Sequence, residues 1–210
     1  MSLYLCVPVL KRYDLLRDML ESLQHSTLKP AKIYIVDNGR DLKRLTQVIA
    51  SADVPVEVHV PDASMGLAET WNWFIDNVSE ERLICNDDLL FASDSLQQIV
   101  DTAGDFVSPL ATTNACSCFL LRDSCVKAVG MFDETISPGY AYFEDCDYVE
   151  RMLVVGLRIT SVSCGVTHVG SATIAKNSEE EWTRHHDKFL QAQANFVAKW
   201  GRMPDLGRAL

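Results

Sequence analysis

The feature that most constrains this chain is the regular alternation of apolar runs and helix-patterned segments across residues 1–90. Residues 3–9 form a continuous apolar run. After Lys11 and Arg12, the apolar residues Tyr13, Leu16, Met19, Leu20 and Leu23 recur at helical spacing. Residues 32–36 repeat the strand signal, 42–49 read as a short helix, and 54–60 form a third strand rich in valine. Beyond Gly66, the side chains Leu67, Trp71, Phe74, Ile75 and Val78 share one helical face, and residues 82–85 make a brief fourth strand. Alternation of this kind predicts βαβ units and a largely parallel sheet.

The pattern then loosens. Residues 94–103 read as helix, 116–121 as strand, and 131–142 as a loop containing glycine and proline. A helix from about Asp147 ends at Gly156, a natural position for a left-handed stop; short strands at 158–162 and 166–168 follow, then a long terminal helix over 182–200. No repeat or linker interrupts the chain. Its 210 residues, 48% of them hydrophobic, suffice for one core, so a single domain is expected.

Bulk charge narrows the partners. A formal charge of −10 repels polymeric phosphate and anionic membrane surfaces, which speaks against nucleic acid. No apolar stretch reaches the length of a membrane span, and the opening residues lack a basic leader. Seven scattered cysteines, an odd number set mostly in apolar surroundings such as those of Cys6, Cys85 and Cys164, read as reduced buried thiols and point to the cytoplasm.

In an open parallel sheet, loops leaving the carboxyl ends of the strands converge on one crevice, so polar residues just after strands carry weight. Asp37-Asn38-Gly39 follows one strand; it is ordinary turn chemistry, yet its carboxylate and amide suit a nucleobase or ribose. Asn86-Asp87-Asp88 follows another, with adjacent acids suited to a hard divalent cation beside a diphosphate, or to an exposed turn. Glu144-Asp145-Cys146-Asp147 opens a helix, where capping explains one acid but does not require three. The preceding loop, with Pro138, Gly139, Tyr140 and Tyr142, suits a pocket for a polar acceptor, and a general base fits here. His168 ends the last short strand, where an imidazole can be structural or a metal ligand. A zinc module from Cys116, Cys118, Cys164 and His168 lacks the usual paired spacing, and no Walker loop, dinucleotide glycine turn or hydrolase serine elbow is present.

Together these residues resemble inverting glycosyltransferases of family 2, over residues 3–173 and in the expected order. The similarity runs through Val7-Pro8-Val9 with Arg12, Ile35-Val36-Asp37-Asn38-Gly39, Met65-Gly66-Leu67-Ala68 through Asn72, and Asn86-Asp87-Asp88 in place of an Asp-x-Asp motif. It is most specific at Gly130-Met131-Phe132-Asp133-Glu134 and at Tyr142-Phe143-Glu144-Asp145-Cys146-Asp147-Tyr148 with Arg151 and Gly156; Lys199-Trp200-Gly201 matches an ending seen in some members. Arg40 stands where the family often has serine, and Asn86 replaces the first acid of the metal motif.

The resemblance implies a GT-A fold, Rossmann-like, with a mostly parallel central sheet flanked by helices. Residues 1–90 would hold the nucleotide sugar, 91–175 the acceptor side, and 176–210 a C-terminal helical segment. It further implies a nucleotide diphosphate sugar as donor, and a hydroxyl-bearing acceptor, most naturally a glycan. Pro8, Arg12, Asp37, Asn38, Gly66, Asn72, Asn86 and Asp87 would line the donor site. Asp88 and His168 would bind Mn²⁺ or Mg²⁺, and Asp145, with Glu144 beside it, would serve as the catalytic base for displacement with inversion. The polar stretch 171–181 would close over bound donor and exclude water. Two other readings fit parts of the pattern: a sugar nucleotidyltransferase, which would want a glycine-rich basic loop after the first strand, and a non-catalytic nucleotide-sugar or glycan-binding module.

Overall fold

A computed structural model describes residues 2–79, 81–110, 116–169 and 179–205. In chain order its elements are β1 (Leu3–Val9), α1 (Tyr13–Leu23), β2 (Lys32–Asp37), α2 (Leu42–Ile49), β3 (Val56–His59), α3 (Leu67–Asn77), β4 (Glu81–Cys85), β5 (Leu89–Phe91), α4 (Ser95–Asp101), β6 (Phe106–Ser108), β7 (Cys118–Leu121), α5 (Asp123–Val129), α6 (Glu144–Val154), β8 (Thr160–Ser161), β9 (Val166–His168) and α7 (Glu179–Trp200). Seven strands form one sheet in the order β3-β2-β1-β4-β7-β6-β8, and β5 and β9 form a separate pair. The ladders β1–β2, β1–β4, β2–β3 and β6–β8 are parallel; β7 alone runs against its neighbours β4 and β6. This is the mostly parallel sheet that the alternation predicts.

Strand residues divide between the two faces with the period of two that a pleat imposes. Leu3, Leu5, Val7 and Val9 join Leu16, Met19, Leu20 and Leu23 of α1 on one face, with Ile33, Ile35, Leu83 and Leu120 from neighbouring strands. Cys6, Val36, Ile84 and Phe119 turn to the other face, where Trp71 and Phe74 of α3 and Tyr148 and Met152 of α6 cover them. A strand with both faces covered has to be apolar throughout, which is why β1 reads as an unbroken run. A third cluster, Ile136, Phe143, Cys146, Ala192 and Phe196, fastens α7 onto the start of α6.

Several boundaries shift by one to three residues against the sequence reading, and three elements are absent from it. α6 begins at Glu144, one turn earlier than the periodicity indicated, because its acidic first turn carries no apolar signal. The segment 158–162 contributes only Thr160–Ser161 to the sheet edge, and α7 begins at Glu179. The missed elements are β5 and β6, three residues each, and α5, seven residues; all are too short for a period to show. The stretch 171–178, most of the expected closing segment, lies outside the described residues.

Candidate active site

From β1 the chain steps to β2 and β3 on one side, then returns to lay β4 on the other side of β1. Where strand order reverses in this way, the loops leaving the two central strands diverge and open a crevice at their carboxyl ends. Such a cleft, of about 490 Å³, lies there, lined by Pro8 to Lys11 after β1, Asn38 after β2, and Asn86, Asp87 and Asp88 after β4. Met65 and Leu67 bound it near α3, His168 closes one side, and the loop from Gly139 to Tyr142 with Arg184 and His185 of α7 forms the far wall.

His168 reaches the acidic turn through the short sheet. β5 pairs antiparallel with β9, setting Leu89 opposite His168, and the Val169 amide donates to the Asp88 carbonyl at 2.9 Å. The imidazole Nε2 thereby lies 3.0 Å from Asp88 Oδ1, with side chains 16% and 7% exposed. The contact lacks the directionality of a hydrogen bond, and Asp88 Oδ1 is a buried oxygen with no hydrogen-bond partner. The neighbouring carboxylate raises the imidazole pKa against the opposing effect of burial. Beside it, burial and the Asp88 charge push the Asp87 carboxyl up to about 7, while Arg12 acts in the opposite direction.

One buried carboxylate oxygen without a partner, facing one imidazole nitrogen, is a donor set that fits a divalent cation with open positions. Among the described residues no group of three His, Cys, Asp or Glu side chains gathers into a cage. A cation here would therefore take its remaining ligands from a bound diphosphate or from water.

Of the residues singled out from sequence, Pro8, Asn38, Asn86, Asp87, Asp88 and His168 meet in the cleft. Asn38 is also a brace: its Nδ2 donates to Thr70 Oγ1 at 3.0 Å and its Oδ1 accepts from the Met65 amide at 2.9 Å. Arg12 grips Asp14 at 2.6 Å, close enough to the acidic turn for Asp87 and Asp88 to raise its pKa, behind the Asp14 bond. Asp37 is fully buried beneath the cleft, accepting from Tyr13 Oη at 2.7 Å and the Arg40 amide at 3.1 Å.

Gly66 and Asn72 act as scaffold in this structure. A Cβ on Gly66 would fall 2.9 Å from the Tyr140 nitrogen and 3.0 Å from its oxygen, so a hydrogen there lets the far-wall loop rest on the start of α3. The Leu67 amide donates to the Tyr140 carbonyl at 2.7 Å across the same contact. Asn72 clamps the Phe132 backbone from both sides, accepting from its N–H at 2.8 Å and donating to its carbonyl at 3.0 Å, and donates to Glu134 at 2.8 Å.

Glu144 and Asp145 open α6 just behind the far wall. Glu144 is buried and accepts from the Tyr142 amide at 2.6 Å; burial first, then the adjacent Asp145 charge, raises its pKa. Asp145 is half-buried, accepts from the Cys146 amide at 2.7 Å through Oδ1, and is raised chiefly by burial. Tyr142 and Phe143, just before them, both have positive φ, at 124° and 65°, an uncommon conformation for side chains of this size. Asp147, fully buried, anchors the end of α7 instead. It accepts from Arg151 at 2.9 Å and from the Trp200 indole at 2.8 Å, with Lys199 Nζ at 2.7 Å.

Sequence reasoning did not find Arg184 and His185. They sit in the polar first turns of a helix whose docking is set by apolar residues further along, and no local pattern announces that one edge of that helix walls a cleft.

No curated protein matches the chain by sequence. Among solved structures, the chain is similar to the mannosyltransferase PcManGT from Pyrobaculum calidifontis in complex with GDP-Man and Mn²⁺, with 13% identity and a TM-score of 0.65 over 97% of this chain and 66% of that one. It is also similar to S. aureus TarS 1-349 in complex with UDP-GlcNAc, with 12% identity and a TM-score of 0.60 over 94% of this chain and 67% of that one. The UDP complex of TarS 1-349 gives 13% identity, a TM-score of 0.59, and 94% and 66% coverage. The chain thus spans about two thirds of the length of these neighbours, and at such identities the likeness establishes the GT-A fold. The family model for "Glycosyl transferase family 2" matches residues 4–116, from β1 through the acidic turn after β4 and on past β6, which is more than half of the 210 residues. The chain therefore belongs to glycosyl transferase family 2.

Proposed function

We propose that this chain is a metal-assisted inverting glycosyltransferase that moves a sugar from a nucleotide diphosphate sugar to an acceptor hydroxyl, most naturally on a glycan. The observation that carries the reading is the approach of His168 to the unpartnered buried oxygen of Asp88, in the crevice between the carboxyl ends of β1 and β4. A buried carboxylate oxygen without a hydrogen bond is costly, and a cation held between Asp88 and His168 would satisfy it. The related folds of PcManGT, with GDP-Man and Mn²⁺, and of TarS, with UDP-GlcNAc, support a nucleotide sugar as donor.

On this reading Pro8, Asn38, Asn86 and Asp87 bound the nucleotide and diphosphate, and Asp88 and His168 hold Mn²⁺ or Mg²⁺. When bound, the cation neutralises charge developing on the departing diphosphate. Asp145 takes the proton of the acceptor hydroxyl as that oxygen attacks from the face opposite the leaving group, which inverts the anomeric configuration. Burial raises the basicity of Asp145, and the Cys146 amide fixes its orientation. Residues 1–90 then serve the donor and 91–175 the acceptor, and α7, in the C-terminal helical segment 176–210, supports the far wall. No described helix is long and apolar enough to cross a membrane; buried free thiols at Cys6, Cys85 and Cys118 support a cytoplasmic setting.

The test is thermal stabilisation by a panel of UDP-, GDP- and dTDP-sugars with and without Mn²⁺. At about 100-fold excess over Kd a true donor stabilises by about 2.7 kcal/mol, a rise of roughly 5–10 °C for a domain of this size. Stabilisation by one donor class only with Mn²⁺, followed by slow release of free sugar, is expected. No metal-dependent shift with any donor overturns the reading, and consumption of a nucleoside triphosphate with release of pyrophosphate would make the protein a nucleotidyltransferase.

A further inference from the structure

The far wall of the cleft is aromatic. Tyr140 and Tyr142 on the loop before α6, and His185 on α7, all line the same cavity as the acidic turn. Tyr140 and His185 meet edge to face with centroids 5.1 Å apart, and the two tyrosine rings lie 6.3 Å apart at 30°. Tyr142 Oη is 3.2 Å from His185 Nδ1, and Phe189 of α7 supports the Tyr142 ring from 5.4 Å. All three lining rings are half-buried and border the cavity.

Holding Tyr142 there is costly for the backbone. Two consecutive non-glycine residues, Tyr142 and Phe143, keep positive φ, and the buried Glu144 secures the arrangement through the Tyr142 amide at 2.6 Å. Strain of this sort persists where the surroundings fix it, and it concentrates at ligand-binding positions. What it achieves here is to set aromatic rings and two mutually bonded polar tips, a phenol and an imidazole, along a cavity that also carries Asp87 and Asp88.

A pyranose ring matches that surface. Its axial C–H groups form an apolar face that packs against the electron-rich face of an aromatic ring, and its rim of hydroxyls needs donors and acceptors of the kind Tyr142 and His185 supply. The cavity is lined by Lys11 and Arg184 as well as by Asp87 and Asp88, so the aromatic surface, and not a net charge, is what recognises the ring. We propose that Tyr140, Tyr142 and His185 form a stacking subsite for a neutral pyranose ring of the acceptor. This rests on the reading above, in which the nucleotide occupies the wall formed by Pro8, Asn38 and the acidic turn.

Saturation-transfer NMR tests it with methyl glucoside, galactoside, mannoside and rhamnoside, together with methyl glucuronide, each in the presence of diamagnetic Mg²⁺ and UDP, GDP or dTDP. Ring-proton saturation of at least one neutral methyl pyranoside is expected. Loss of stacking in Tyr140→Leu and His185→Leu should lower it about fivefold, while Tyr142→Phe, which keeps the ring and loses only the phenol, should lower it less. Nucleotide protons in the same spectra report the donor site separately. Saturated nucleotide with no saturated neutral pyranoside, with saturation unchanged in both leucine variants, or with the glucuronide alone saturated, overturns the subsite and leaves the proposed function standing. Absence of nucleotide saturation overturns both. Circular dichroism checks that the variants fold; should Tyr140→Leu fail to, His185→Leu carries the comparison.

Discussion

Replacing Gly66 by alanine tests how the two halves of the site are joined. Gly66 has φ −66°, which any residue adopts, so the substitution introduces no backbone strain. Its effect comes from contact alone: the new methyl would lie 2.9 Å from the Tyr140 nitrogen, 3.0 Å from its oxygen and 3.1 Å from the Gly139 Cα. Ordinary carbon contacts lie at about 3.5–4.0 Å, and backbone atoms cannot rotate aside as a side chain can. The loop must therefore retreat, stretching the 2.7 Å bond from the Leu67 amide to the Tyr140 carbonyl. Overpacking of this kind costs about 1–3 kcal/mol, with a smaller addition because alanine is a poorer N-cap than glycine. With a urea slope of about 2 kcal/mol/M, the unfolding midpoint should fall by about 1 M. Donor affinity should fall less than transfer, because Asp87 and Asp88 make no bond to that contact and Asn38 meets it only through Met65 and Thr70, while transfer should drop as Tyr140 moves. A Gly66→Ala protein with an unchanged midpoint and unchanged transfer would refute the claim that this glycine seats the far wall.

Asp145→Asn should leave donor affinity nearly intact and lower transfer by about 10²–10⁴-fold, since a base acts in the transition state and not in nucleotide binding; single-turnover kinetics beside donor titration check this, and full activity would remove Asp145 from its role. Trp200→Phe deletes the indole donor to the buried Asp147 and should cost about 1.5–3 kcal/mol in urea unfolding. Stability should also respond to Glu144, whose carboxyl is raised to about 8 in the fold by burial and by Asp145. The folded chain then holds a proton that the unfolded chain releases near about pH 4.3, so this group's penalty is absent below that range, grows as pH rises and is complete above about 8. Urea midpoints across that window should decline in wild type and decline less in Glu144→Gln; parallel profiles would contradict the assignment.

The parallel half of the fold is legible because burial on both faces writes itself into the sequence as continuous apolar runs, and α1 and α3 show their inward stripes. The site is legible only in part. Asp88 and His168 can each be named from sequence, but what joins them is β5, whose three residues give no readable period and whose partner β9 lies far along the chain. The acid cluster at α6 shows the same limit. Glu144, Asp145 and Asp147 read alike as carboxylates at a helix start, yet one secures the Tyr142 amide, one is half-buried behind the far wall, and one anchors Trp200 and Lys199. Those assignments depend on where α7 docks, which Phe196 and Ala192 decide through packing and which no local pattern reveals.

The central claim is that Asp88 and His168 hold a cation for a bound diphosphate. Electron paramagnetic resonance of Mn²⁺ tests it most directly, because the free-ion signal disappears as the ion is bound. The account predicts that UDP or GDP and wild-type protein together remove more free Mn²⁺ than the sum of either alone, and that Asp88→Asn and His168→Ala each abolish this excess. An excess undiminished in both variants, or none in wild type with either nucleotide, would contradict it.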